Sequence, residues 1–363
     1  MNIVFRWFGR EHDSVSLDKI RQLPHVTGII STLYNKKAGE VWTRSEIKEL
    51  KQTIANSGLI LRGIESVNVH ESIKAGTPER DRYIENYIKT LSALGEEGVR
   101  LVVYNFMPVF DWTRFLLSKP RGDGTTVLAY DDEGIHKLGP EKLATWLQDQ
   151  TNGFLLPGWE PERLSRVKEL ISYYSTCTEE TLFTNLGYFL NAVIPTCEKY
   201  DIKLALHPDD PPWHIFGIPR IVTHLDNLKK IITLNPSPLN GFTLCTGSLG
   251  VHPQNNVVAI IEALYDHIHF VHVRNLKITN TGKFEETSHL SCDGDLDIYS
   301  IMKTLYDYGY DGAMRPDHGR AIWGEQSIPG YGLYDQALGS AYMYGLWEAI
   351  SKSNQRKHVL TGV

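Results

Sequence analysis

Cysteine is scarce: the 363 residues hold four, Cys177, Cys197, Cys245 and Cys292, with no CxxC pair among them. A disulfide framework or a zinc ribbon is therefore not expected. No apolar run approaches the roughly 18 residues of a membrane-spanning helix, and the opening MNIVFRWFGREHD carries no signal-peptide h-region. The expectation is a cytoplasmic protein with no membrane partner. Basic excess is missing too: 37 Lys and Arg stand against 43 Asp and Glu, a formal net charge of -6. That balance argues against a nucleic-acid partner. An anionic substrate would have to be met by a few local cations. Internal repeats and low-complexity segments are absent, and so is the glycine-rich phosphate turn with which a doubly wound sheet usually follows its first strand.

What the chain has throughout is alternation. Short β-rich runs and longer helical patterns follow one another, as in parallel strands joined by crossover helices. Strands are predicted over 3–8, 28–31, 60–66, 100–104, 203–206, 241–245, 269–273 and 312–314. Helices are predicted over 45–57, 79–94, 179–200 and 255–265, where apolar residues recur three and four apart. Thr77 before Pro78 reads as a helix cap, and Gly58 as a left-handed helix end. The expected fold is α/β, a (β/α)8 TIM-like barrel in a single domain over 1–363. Barrels of about 250 residues accept insertions of this size. The insertion is placed at 106–177, between strands four and five, because that stretch is too long for an ordinary connection. Helical patterns at 139–148 and 160–174 make it a helical insertion over the barrel mouth.

Active sites of such barrels lie at the C-terminal ends of the strands. Strand five ends at His207, strand six at Cys245 and strand seven at His272, while strand eight runs to Asp317. Singly, a strand-end His or Asp is an ordinary hydrogen-bonded residue, and a strand Cys an ordinary small hydrophobe. Four residues of metal-ligand type at equivalent places on four neighbouring strands can converge, which points to a divalent metal site. Around it stand Arg6 and Trp7, His70, Tyr104 and Asn105, then Arg274, Asn275, Lys277 and His289. Arginine can grip a carboxylate with two parallel hydrogen bonds, and an aromatic face can pack on the carbon side of a polyol. Arg6 could equally close a salt bridge across the mouth. His318, embedded in RPDHGR, is the candidate general acid or base; its alternatives are a loop cap or a further ligand. Tyr331 and Tyr334 lie on a Pro/Gly-rich segment that could fold over the mouth.

The motifs FRWFG (5–9), ESVNVHESIK (65–74), YNFMPVFDWTR (104–114), HPDDPP (207–212), FTLCTGS (242–248), HFVHVRN (269–275), HLSCDGDLDIY (289–299), MRPDHGR (314–320) and PGY (329–331) span nearly the whole chain. Together they resemble the mannonate dehydratase family of hexuronate catabolism, within the xylose-isomerase-like TIM barrels. The resemblance implies that His207, Cys245, His272 and Asp317 bind one Mn(II) or Fe(II), and that His318 moves a proton. Tyr331 would assist it, with Tyr334 as the alternative. It implies a hydro-lyase that converts D-mannonate to 2-dehydro-3-deoxy-D-gluconate. The expected substrate-binding set is Arg6, Trp7, His70, Asn105, Arg274, Lys277, His289 and Tyr334, and the expected assembly is a homodimer. Two imidazoles and a thiolate could also suit zinc. Chelation of a hydroxy acid needs further open positions, and the resemblance favours manganese or iron.

The chemistry explains the parts. A proton beside a carboxylate is poorly acidic until the charge left by its removal is stabilised, which a Lewis acid does. His318 would take the C2 proton, and Tyr331 or a metal-bound water would protonate the departing 3-hydroxyl. Sugar isomerases and metal-dependent phosphodiesterases on the same barrel lean on carboxylates, and the latter on more than one metal. The thiol in the ligand set disfavours both. A non-catalytic sugar-acid-binding protein would have no need of HPDDPP, CTGS and RPDHG together.

Overall fold

The computed structural model describes residues 1–151, 153–154 and 166–361, with side chains described to residue 354. Its strands are β1 (Asn2–Arg6), β2 (Val26–Ser31), β3 (Ile60–Glu65), β4 (Leu101–Tyr104), β5 (Leu116–Pro120), β6 (Thr126–Asp131), β7 (Lys203–Leu206), β8 (Asn240–Cys245), β9 (Ile268–Val273), β10 (Leu276–Asn280), β11 (Lys283–Glu286) and β12 (Ala313–Pro316). Eight of them close a barrel in the order β1-β12-β9-β8-β7-β4-β3-β2, with every neighbouring pair parallel. All eight barrel strands fall where the alternation predicts them, within about two residues at either end.

The two faces of each strand separate two cores, as the period of two requires. Val4, Ile30, Leu101, Val103, Ala205 and Phe270 pack together inside the barrel. Their sequence neighbours Ile3, Phe5, Ile29, Val102, Leu204 and Val271 pack outward against the helices. Each fully buried aliphatic side chain contributes roughly 1.5–3 kcal/mol, so these two layers hold the strand ends in fixed relation. The helices form where expected, at Arg44–Asn56, Arg80–Glu96, Glu179–Tyr200 and Val257–Leu264. Thr43 and Glu46 start the first of these with a reciprocal capping box, worth about 1 kcal/mol. Gly58 takes φ 73°, as a left-handed helix end should. Thr77 does not cap its helix: its hydroxyl bonds Glu79 instead, and the helix begins at Arg80.

The stretch between β4 and β7 is not purely helical. It opens with the β5–β6 hairpin before the helices Asp132–Leu138, Pro140–Gln148 and Val167–Tyr173. That hairpin pairs with a second one, β10–β11, which follows β9, to make a four-stranded antiparallel sheet in the order β10-β11-β6-β5. The expected 139–148 helix is there. Of the one expected at 160–174, residues 160–165 lie outside the described residues. The hairpin was hidden because its strands are short and its turn, RGDG, reads equally well as loop. No described helix is long and apolar enough to cross a membrane.

Candidate active site

Strand parity decides which side chains reach the barrel mouth. Ala205 points inward on β7, so His207, two residues on, does as well. Phe270 inward on β9 carries His272 and then Arg274 with it. Val4 inward on β1 carries Arg6, and Val103 on β4 carries Asn105. These inward residues, with Glu65, Arg315, Asp317, His318, Tyr331, His70 and Asp210, line a cleft of about 1090 Å³ including its open mouth. Trp7 and Tyr104 have the opposite parity and are buried in the helix-side core. Neither lines the cleft, although Trp7 was expected to bind substrate.

His207, Cys245 and His272 bring one ligand atom each within 4.8 Å of one another. His207 Nδ1 lies 2.7 Å from the Pro208 carbonyl, which fixes the ring so that Nε2 faces His272 Nδ1 at 3.2 Å. Asp317 Oδ2 stands beside them, 3.6 Å from Cys245 Sγ and 3.8 Å from His272 Nδ1. The other ring nitrogen, His272 Nε2, lies 3.5 Å from Glu65 Oε1, an ion-pair separation rather than a hydrogen bond. Burial pushes the Cys245 thiol up, with the Asp317 charge adding to it, but the Arg274 guanidinium together with the His207 and His272 rings outweighs them and the group is held down at about 5. Burial would lower His207; its contact with the Cys245 sulfur prevails and it is pushed up to about 9. A thiolate and two inward-facing imidazoles form a donor set that fits a divalent transition metal.

The second centre is the His318–Tyr331 pair. His318 Nε2 lies 3.0 Å from Tyr331 Oη, and its Nδ1 lies 3.0 Å from Glu286 Oε1. Burial, with the Asp317 charge adding to it, raises the Tyr331 phenol above its usual range, against Arg315 and Arg6. It stays protonated at neutral pH. Phe8 meets the Tyr331 ring edge-on at 4.7 Å, and Trp112 stands 5.1 Å from the His318 ring. Both supply apolar wall.

Charge in the cleft is dense and paired. Arg6 bridges Glu65 and the Tyr34 hydroxyl. Arg315 bridges Glu65 and Asp317 Oδ1. Arg114 bridges Asp210 and Glu286, and Arg274 reaches Asp210 Oδ2 at 2.7 Å. Burial opposes the charge on Glu65, Asp210 and Asp317, yet the neighbouring cations hold all three below the usual carboxylate range.

Some expected substrate contacts lie elsewhere. Lys277, on the outer hairpin, is exposed and pairs with Asp295 at 2.7 Å. Tyr334 is 42% exposed beside Trp323. His289 is buried behind the loop, its Nε2 3.3 Å from the Asp317 carbonyl. Asn275 bonds the carbonyls of Leu290 and Leu296. His70 lines the cleft, its Nδ1 accepting from Ser72 N while its ring stacks on Tyr83, and Asn105 donates to Asp111. Sequence reasoning missed Glu65, Arg315, Asp210, Arg114 and Glu286. Parity could have found Arg315, two residues before Asp317 on one face. Nothing in the sequence ties Glu286 to a site, because it arrives on the unrecognised second hairpin.

Residues 1–357 match the family model for D-mannonate dehydratase (UxuA). The chain is 56% identical over 352 residues to a mannonate dehydratase of Brachyspira hyodysenteriae, covering 97% of this chain and 99% of that one. It is 51% identical over 359 residues to one of Geobacillus thermodenitrificans, covering 98% and 97%. The crystal structure of mannonate dehydratase from Streptococcus suis serotype 2 matches with a TM-score of 0.87 at 41% identity, covering 98% of this chain and 96% of that one. A xylose isomerase domain protein from Planctomyces limnophilus shares the fold, with a TM-score of 0.56 at 12% identity over 97% and 99% of the two chains.

Proposed function

Because the chain belongs to the D-mannonate dehydratase family, we propose that it is a hydro-lyase taking D-mannonate to 2-dehydro-3-deoxy-D-gluconate. The observation that carries this assignment is the meeting of a metal cradle and a histidine–tyrosine pair in one cleft. His207, Cys245 and His272 would hold one Mn(II) or Fe(II), with Asp317 as the adjoining carboxylate. When bound, the ion supplies Lewis-acid stabilisation of the negative charge that develops as the C2 proton leaves.

The chain's own groups do the rest. His318 offers Nε2 as the base for the C2 proton. Tyr331, kept protonated by burial, gives its phenolic proton to the departing 3-hydroxyl. Phe8 and Trp112 exclude water around the pair. Arg6 and Arg274 present positive charge to the cleft for an anionic sugar acid, while Glu65 and Asp210 fix their direction.

An anaerobic assay with D-mannonate tests this. Metal-stripped protein should be inactive and should recover on adding Mn(II) or Fe(II), with the 2-keto-3-deoxy product accumulating. Absence of product with either metal would overturn the assignment.

A further inference from the structure

The two ring nitrogens of His318 meet different demands. Nδ1 has two neighbours, Glu286 Oε1 at 3.0 Å and Arg274 Nη1 at 3.3 Å. A carboxylate has no proton to give and a guanidinium has no lone pair, so Glu286 requires Nδ1–H and Arg274 requires a bare Nδ1. Glu286 makes the shorter contact, and the nearest partner of Arg274 Nη1 is Asp210 Oδ2, at 2.7 Å, rather than Nδ1. We propose that Glu286 is a positioning residue for His318: it fixes the Nδ1–H tautomer and so leaves the lone pair on Nε2, the nitrogen facing Tyr331. This rests on the reading of His318 as the base.

Glu286 is built for such a role. It ends β11, outside the barrel, and is fully buried. Arg114, which enters from the other side between β4 and β5, grips the same oxygen through Nε at 3.0 Å and Nη2 at 2.5 Å. Arg114 is itself anchored on both oxygens of Asp210. The carboxylate is held against Nδ1. Without its charge, Arg274 remains beside Nδ1 and favours the opposite tautomer, in which Nε2 carries a proton and cannot accept one.

Glu286→Gln tests the proposal. In the metal-loaded enzyme kcat for D-mannonate should fall by about 10²–10⁴-fold, the scale seen when a carboxylate that orients a catalytic histidine is neutralised. KM and bound metal should stay within about twofold, a split that general loosening of the site would not give. Heteronuclear NMR of zinc-loaded, histidine-labelled protein should show His318 as Nδ1–H in the native chain and Nε2–H in the variant. An unchanged tautomer, or kcat at the native level, would overturn the proposal. Should Glu286→Gln fail to fold, Glu286→Asp keeps the charge beside Arg114 but withdraws the oxygen from Nδ1. It too should lower kcat at constant KM, and native kcat there overturns the proposal. A native enzyme inactive on D-mannonate would sink the functional assignment, while the tautomer measurement would still decide the role of Glu286.

Discussion

His207 Nε2 and His272 Nδ1 face each other across 3.2 Å, within 4.8 Å of the Cys245 sulfur. Two imidazole nitrogens so close are satisfied by one shared proton or one shared cation. Binding a metal that the unfolded chain does not bind should stabilise the fold, by about 2.7 kcal/mol at a free concentration one hundred times Kd. Thermal unfolding of stripped and Mn(II)-loaded protein would reveal it as a rise in Tm. Cys245→Ser should retain metal at least about tenfold more weakly, measured by equilibrium dialysis. Full occupancy in that variant would remove the thiol from the ligand set.

Roles at the His318–Tyr331 pair separate by substitution. His318→Asn should lower kcat by about 10²–10⁴-fold with bound metal unchanged; loss of metal would instead make His318 a ligand. Tyr331→Phe should impair turnover, because it removes the hydroxyl 3.0 Å from His318 Nε2. Tyr334→Phe should leave kcat near the native level, since Tyr334 is 42% exposed and bears on Trp323.

Arg114 is wholly buried between Asp210 and Glu286. Arg114→Met strands two carboxylates next to a cavity that no longer holds their shared cation. Breaking a buried pair in this way costs about 3–5 kcal/mol, and urea unfolding of the metal-loaded variant should show a loss of that order. A variant as stable as the native protein would mean that Arg274 alone can balance both acids.

A pH response should arise away from the catalytic groups, at His269. Burial holds this imidazole down at about 4, against the Leu204 and Pro238 carbonyls that its two nitrogens approach. The unfolded chain takes up its proton below about 6.5. Between the two values the unfolded state therefore binds more protons, and stability falls as pH falls. From pH 7 to pH 5 the loss from this residue is about 2 kcal/mol. His269→Gln should unfold with a correspondingly shallower pH dependence over that range. An unaltered slope would show that His269 does not contribute.

The strand ends explain why so much of the site was legible. A strand alternates faces with a period of two, so once a barrel is inferred, His207, Cys245 and His272 follow as residues carried to its C-terminal rim. Asp317 follows in the same way from β12, whereas His318 is turned to the cleft by the loop beyond the strand end. Parity also explains what misled: Trp7 sits one residue from Arg6, and one residue turns a side chain to the other face. Lys277 was credited with the site because it follows strand seven closely. It leaves on β10, a hairpin that leads away from the mouth.

By itself, the sequence determined the barrel, its strand positions and the rim residues, because hydrophobic period and strand length are local properties. Only the tertiary structure decided which charges meet. Arg114 and Glu286 are 172 positions apart and come together at 2.5 Å through the two inserted hairpins, whose mutual pairing no local pattern encodes. The same assembly puts Tyr331 rather than Tyr334 against His318 and sets a carboxylate behind that imidazole. Long-range pairing of buried charges depends on how whole segments pack, and that is settled when β11 of one hairpin pairs with β6 of the other.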